Sequence, residues 1–192
     1  MLNRRTICRL MPVLLAAWVS FAIADEKTAA KPIKSGLPAG EFVPPFNCRD
    51  ITGPAKGKTL CYRCRYGDSP VVAVFTRNTG EQTASLIKQI DAQVVAKKAN
   101  GLKAFVVFLS DDPDEIETKI ENLAKTEKVS STPLTIMEGI EGPPEYKIAK
   151  TAETTVLMWV NGEVKVNHAF TEGLLDEATI KKIVADTAKI VQ

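Results

Sequence analysis

The stretch LCYRCRYGDSP, residues 60–70, sets two thiols three positions apart, Cys61 and Cys64, with Arg63 and Arg65 beside them. A C-x-x-C pair can close a disulfide or grip one metal ion, and neighbouring guanidinium groups favour the thiolate over the thiol. Cys48 lies on a preceding strand or turn from which it could close over the pair. Three readings compete. The first is a structural disulfide, within the pair or between Cys48 and one member of it. The second is a redox-active dithiol with Cys48 as a third thiol. The third is a metal site of Cys48, Cys61 and Cys64: three thiolates fall one short of a closed zinc site but suit copper(I). The structural bridge is favoured, so no cofactor is expected, with copper or zinc as the alternative.

Few other residues compete for a chemical role. His168 is the only histidine, and a strand histidine that is hydrogen-bonded or exposed explains it better than a ligand that must reach the cysteine loop. Asp111, Asp112, Asp114 and Glu115 lack the glycine and terminal glutamate of a calcium loop, and helix capping accounts for them. Leu157, Met158 and Trp159 are consecutive strand positions and read as core. Tyr62 and Tyr66 flank the thiols and are expected to cover them.

The elements that must position the pair follow from periodicity. Val71–Phe75 is a continuous β-branched run, the pattern of a strand covered on both faces. Leu86, Ile87, Ile90, Val94 and Val95 then recur at helical spacing until Asn100-Gly101, which ends the segment like a C-cap. Residues 104–109 (AFVVFL) form a second buried strand. Asp112 is placed to cap the next helix, with Pro113 at its first position and Ile116, Ile120 and Leu123 inward. A third strand covers residues 134–137, a helical turn residues 144–149 and a fourth strand residues 155–160. Asn161-Gly162 turns that strand into a fifth, residues 163–170, and a last helix from about Asp176 carries Ile180, Ile183, Val184 and Val191 inward. Parallel crossovers followed by an antiparallel hairpin define an α/β fold with a mixed sheet.

Upstream of this, the chain begins with three arginines and no acid, then an apolar run from Leu10 to Ala24 that ends in Ala22-Ile23-Ala24 before Asp25. Residues 1–24 read as a secretory signal peptide cleaved after Ala24. Broken by Pro12 and Ser20, the run is too short for the roughly 20 apolar residues of a spanning helix, so no integral membrane segment is expected after cleavage. Arg4-Arg5 resembles a twin-arginine signal, but paired arginines are common in ordinary export signals. Export, to a periplasm or the exterior, makes disulfides permissible. It also removes Cys8 and leaves an odd number of thiols. Without residues 1–24 the chain keeps 22 basic and 23 acidic residues. That near-neutral balance gives no reason to expect nucleic acid or an anionic membrane as a partner; another exported protein is the remaining candidate. Residues 25–41 mix charge, Ala, Pro and Gly and are expected to form a flexible tether with little fixed structure, leaving residues 42–192 as one domain.

The order of elements, ending in TTVLMWVNGEVKVNHAF and a terminal helix, resembles the thioredoxin-like superfamily. Within it, residues 103–164 are similar to the redoxin branch, which holds the peroxiredoxins and the thiol-disulfide interchange proteins. PPFNCRDITGPAKGK likewise resembles the opening of redoxins. The resemblance implies a three-layer sandwich with a mixed sheet of about five strands, helices on both faces and an N-terminal extension. It also implies a redox site immediately after the first central strand, where Gly80 and Thr83 stand at the cysteine positions. A threonine hydroxyl stays protonated and cannot act as a thiolate. The cis-proline of the superfamily should fall at Glu153 or Thr154, and neither is proline. Pro133 precedes a strand, but one element too early. Copper-delivery members of the superfamily keep their cysteines in that same active-site loop, whereas Cys61 and Cys64 precede the strand. The resemblance therefore implies an exported domain with a degenerate active site. Its first reading is a non-catalytic binding or structural module with a disulfide-stapled N-terminal loop. Thiol-disulfide or copper handling through the displaced CYRC motif is the alternative.

Overall fold

A computed structural model describes residues 33–191 of the chain; the expected signal peptide and residues 25–32 lie outside the described residues. The elements run β1 (Cys48–Asp50), β2 (Thr59–Leu60), α1 (Tyr62–Tyr66), β3 (Val71–Thr76), α2 (Glu81–Ala96), β4 (Lys103–Ser110), α3 (Pro113–Glu127) and β5 (Leu134–Glu138). After a 3₁₀ turn at Pro144–Tyr146 come β6 (Thr154–Val160), β7 (Glu163–Phe170) and α4 (Glu177–Asp186).

One mixed sheet of seven strands has the order β2-β1-β5-β4-β3-β6-β7. Five of these are the strands that periodicity picks out; β1 and β2 extend the sheet beyond β5. Their contribution is short, because only Arg49 and Asp50 pair with β5 and only Cys48 and Arg49 pair with β2. β3, β4 and β5 are parallel, whereas β6 and β7 form an antiparallel hairpin beside β3. Asn161 and Gly162 both take positive φ, 55° and 76°, as a two-residue turn matched to strand twist requires.

The connections from β3 to β4 and from β4 to β5 step in one direction across the sheet. Right-handed crossovers therefore place α2 and α3 on the same face, and α4 joins them there. Leu86, Ile87 and Ile90 of α2, Ile120 of α3, and Ile180 and Ile183 of α4 bury one core against Val72, Val74, Val106 and Met158. Val95, expected in the inner stripe of α2, is instead 57% exposed, because it falls past the edge of the buried arc set by Leu86, Ile90 and Val94. The opposite face carries no long helix. It is covered by α1, by Tyr146 and Ile148, and by Leu37 and Val43 of the N-terminal segment, all packed on Phe75, Phe105, Leu157 and Trp159.

Residues 33–41 thus depart from the expected tether. Ser35 Oγ lies 2.6 Å from Thr155 Oγ1, the Gly36 amide donates to Lys147 O (3.0 Å), and the Gly40 amide donates to Val164 O (2.8 Å). Gly36 has φ +84°, and a Cβ there would stand 2.9 Å from Leu157 Cδ2. The composition looks linker-like because a single apolar residue, Leu37, does the burying while hydrogen bonds of the backbone and of Ser35 do the rest. Replacing Leu37 by alanine is expected to lower unfolding stability by about 2–4 kcal/mol in urea titration; a free tether would leave it unchanged.

Candidate functional site

The pair in CYRC is joined. Cys61 and Cys64 form a disulfide with a Cα–Cα separation of 5.2 Å. Cys61 is the N-cap residue of α1, and its Sγ accepts a hydrogen bond from the Cys64 amide at 3.0 Å. Cys64 is exposed and Cys61 half-buried, so the bond is open to attack from solvent at Cys64. Arg65 is exposed next to it. Arg63 is held inward, donating from Nε to Val43 O (3.1 Å) and from Nη1 to Gly67 O (3.3 Å).

What fixes this turn is a buried carboxylate. Asp50, the last residue of β1, is fully buried and accepts from the Gly53 amide (2.7 Å), the Ala55 amide (2.8 Å) and the Tyr62 hydroxyl (2.7 Å). Three donors are what a carboxylate removed from water needs. Gly53 must be glycine here, since a Cβ would sit 2.5 Å from Tyr62 Oη and 2.7 Å from the Asp50 oxygens. Tyr62 stacks on Phe105 with centroids 5.5 Å apart, and Tyr66 donates to Ala104 O (3.3 Å). Burial, reinforced by the hydrogen bond to Asp50, raises the Tyr62 hydroxyl well above its ordinary range, so it is a permanent donor.

Cys48 does not join the pair. Although β1 and β2 set it opposite Leu60, it is a free thiol, 2% exposed, with its Sγ 3.8 Å from Leu60 O. Burial pushes its pKa up to about 11. The three candidate thiols are therefore split into one exposed disulfide, as the favoured structural bridge within the pair has it, and one buried thiol. Among the described residues no group of three or more His, Cys, Asp or Glu side chains is arranged to hold a metal ion. His168 makes a hydrogen bond of 2.8 Å to Asp186 of α4, stacks on Phe170 and stays away from the cysteines. The Asp112 carboxylate caps α3 by accepting from the Glu115 amide (3.0 Å).

At the other end of β3, roughly 17 Å along a strand of this length, lies the place where the resemblance to the thioredoxin-like superfamily puts a redox site. Gly80 is the N-cap of α2 without a side-chain bond, and Thr83 is buried in the first turn, its hydroxyl without a partner among the described residues. Thr76 and Thr154, on neighbouring strands, meet hydroxyl to hydroxyl at 3.1 Å. The Arg77 guanidinium donates to the carbonyl oxygens of Ile140 and Ala152, and burial lowers its pKa. No peptide bond among the described residues is cis. This end offers hydroxyls and a guanidinium, but no thiol.

No protein-family model matches the chain, and no curated protein matches its sequence. Solved structures do match. A Bacteroides thetaiotaomicron protein provisionally assigned as a protein disulfide isomerase aligns with TM-score 0.63 at 17% identity, covering 83% of this chain and 94% of its own. A Chlorobium tepidum protein provisionally assigned as the thiol:disulfide interchange protein DsbE gives TM-score 0.57 at 17% identity, over 79% and 99%. The peroxidoxin BcpB of Mycobacterium tuberculosis gives 0.56 at 16% identity, over 81% and 99%. At these identities the likeness shows the fold, which is thioredoxin-like.

Sequence reasoning singled out Cys61 and Cys64 but missed Asp50 and Gly53, which hold them in place. A single acid followed three residues later by glycine, inside the redoxin-like opening, was the available signal. Two outcomes are expected. Cys48 should resist alkylation in the native protein at pH 8, where only roughly a thousandth of a thiol of pKa 11 is ionised, and react once the protein is unfolded; alkylation followed by mass spectrometry reads this. Tyr62→Phe, which removes one donor from Asp50, should lower stability by about 1–3 kcal/mol in urea titration.

Proposed function

We propose that this protein is an exported thioredoxin-fold domain that exchanges disulfides through Cys61 and Cys64, with the superfamily's usual site out of use. The observation that carries this reading is the exposed disulfide closing only two intervening residues. A bridge around so short a loop restrains the unfolded chain least, worth about 2 kcal/mol in the loop-entropy model. The segment it closes is already anchored by Tyr62 on Asp50 and Phe105. A staple at that place is largely redundant; an accessible electron acceptor is not.

In the exchange, a partner thiolate attacks Sγ of the exposed Cys64. The Cys61–Cys64 bond breaks, its electron pair goes to Cys61 Sγ, and a mixed disulfide joins Cys64 to the partner. The Cys64 amide, already donating to Cys61 Sγ, stabilises that leaving thiolate until it takes up a proton. A second partner thiolate then displaces Cys64, so the partner leaves as a disulfide and the domain carries two thiols. Export supports the reading, since an oxidising compartment is where such a bond persists. It rests on residues 1–24, and an intact mass beginning at Asp25 is expected from protein purified after secretion.

A second reading has its own observation. The threonines and arginine at the far end of β3 leave that end without redox chemistry, as suits a non-catalytic binding module with a disulfide-stapled loop. Thiol counting by mass spectrometry after equilibration in glutathione buffers of roughly −150 to −300 mV separates the two. Opening of the bridge within that window, with insulin reduction lost in Cys64→Ser, supports exchange. A bridge that stays shut throughout leaves the binding module.

A further inference from the structure

A groove of about 710 Å³ opens at the sheet end where β3, β4 and β5 begin, the end that carries the disulfide. It is walled by the last turn of α1, the C-terminal end of α2, the start of β4 and the loop between α3 and β5. Its charge is one-sided. Arg65, Lys98 and Lys103 line it and no aspartate or glutamate does; among the described residues none of the three is in an ion pair. Asp91, which does not line the groove, accepts from the amides of two residues that do, Ser130 and Ser131 (3.3 and 2.8 Å). Between the cations lie apolar surfaces, including Val95, one of the few large hydrophobic side chains left exposed. Thr132 also lines the groove, and its buried hydroxyl has no partner among the described residues.

We propose that this groove is the docking site for an extended, acidic segment of the protein that exchanges disulfides with Cys61 and Cys64. The inference rests on the exchange reading above and names its partner class. Two observations carry it: the charge complementarity, and the continuity of groove and disulfide, since Arg65 belongs to the groove and follows Cys64 directly. An open trough of this size takes several residues of extended chain with carboxylates on the three cations and an apolar side chain against Val95. Such a segment would deliver a neighbouring cysteine to the exposed Cys64. Rim cations of this kind act mainly on encounter rate and partner choice.

The test follows mixed-disulfide formation by stopped flow and mass spectrometry. The probes are a short glutamate-rich peptide with one cysteine and its glutamine and lysine counterparts. With the wild-type protein at low ionic strength the glutamate peptide is expected to react about tenfold faster than the lysine peptide, and the preference should collapse near 0.5 M salt. In Lys98→Glu/Lys103→Glu the ratio of glutamate-peptide to glutamine-peptide rates should fall to about one or below, and Lys98→Gln/Lys103→Gln should give an intermediate ratio if the reversal fails to fold. Equal rates for the three peptides, or a preference that survives both double variants, overturns the proposal. If no thiol opens the bridge, dithiothreitol included, the exchange reading has failed by itself. The groove is then decided by anisotropy with a cysteine-free glutamate-rich peptide on Cys61→Ser/Cys64→Ser. Salt-sensitive binding lost with Lys98 and Lys103 upholds an acidic docking site; no binding sinks it.

Discussion

The Asp50 carboxylate is the constraint on which this end of the molecule depends. It is fully buried and saturated by two amides of the turn that follows it and by the Tyr62 hydroxyl. Leaving a buried carboxyl group short of a donor costs more than an average hydrogen bond contributes, so three separate pieces of chain are bound to one geometry. β1 is held at the edge of β5, the Gly53–Ala55 turn is folded over the acid, and α1 is pinned by its first residue. The cysteines inherit their positions: Tyr62 points inward onto Phe105, and Cys61 and Cys64 on either side are left toward solvent.

That arrangement leaves the two ends of the sheet chemically different. The C-terminal end of β3 is closed by hydroxyl pairs and by Arg77 on backbone carbonyls. The N-terminal end carries an exposed disulfide beside a cationic groove. The central strands β3 and β4 are paired on both sides and buried on both faces, which makes the middle of the sheet a rigid platform. Chemistry can therefore move from one end to the other without changing the fold.

The central architecture was legible in the residues. β3 and β4 are continuous apolar runs because both their faces are covered, the Asn161-Gly162 turn names the hairpin, and Asp112-Pro113 names the start of α3. Other parts were not. Residues 33–41 have the composition of a tether, yet hydrogen bonds from backbone amides and one leucine lay them on the sheet. Sequence pattern cannot register a segment ordered chiefly through its backbone. Val95 fits the helical period but lies beyond the edge of the buried arc. The pairing of three cysteines was equally open, since spacing alone permits bridge, dithiol or metal site.

By itself, then, the sequence determined the α/β order, the absence of thiols from the loop where thioredoxin-like proteins usually keep them, and the three cysteines worth attention. Each of these is a local pattern of periodicity or identity. Only the tertiary structure decided that Cys48 is buried and apart while Cys61 and Cys64 are joined at the surface. It also decided that Asp50 is the acid holding them, and that cations from α1, from the turn after α2 and from β4 converge on one groove. Those facts depend on which residues distant in the chain are brought within a few ångströms of one another, and burial in a shared core, not local propensity, sets that.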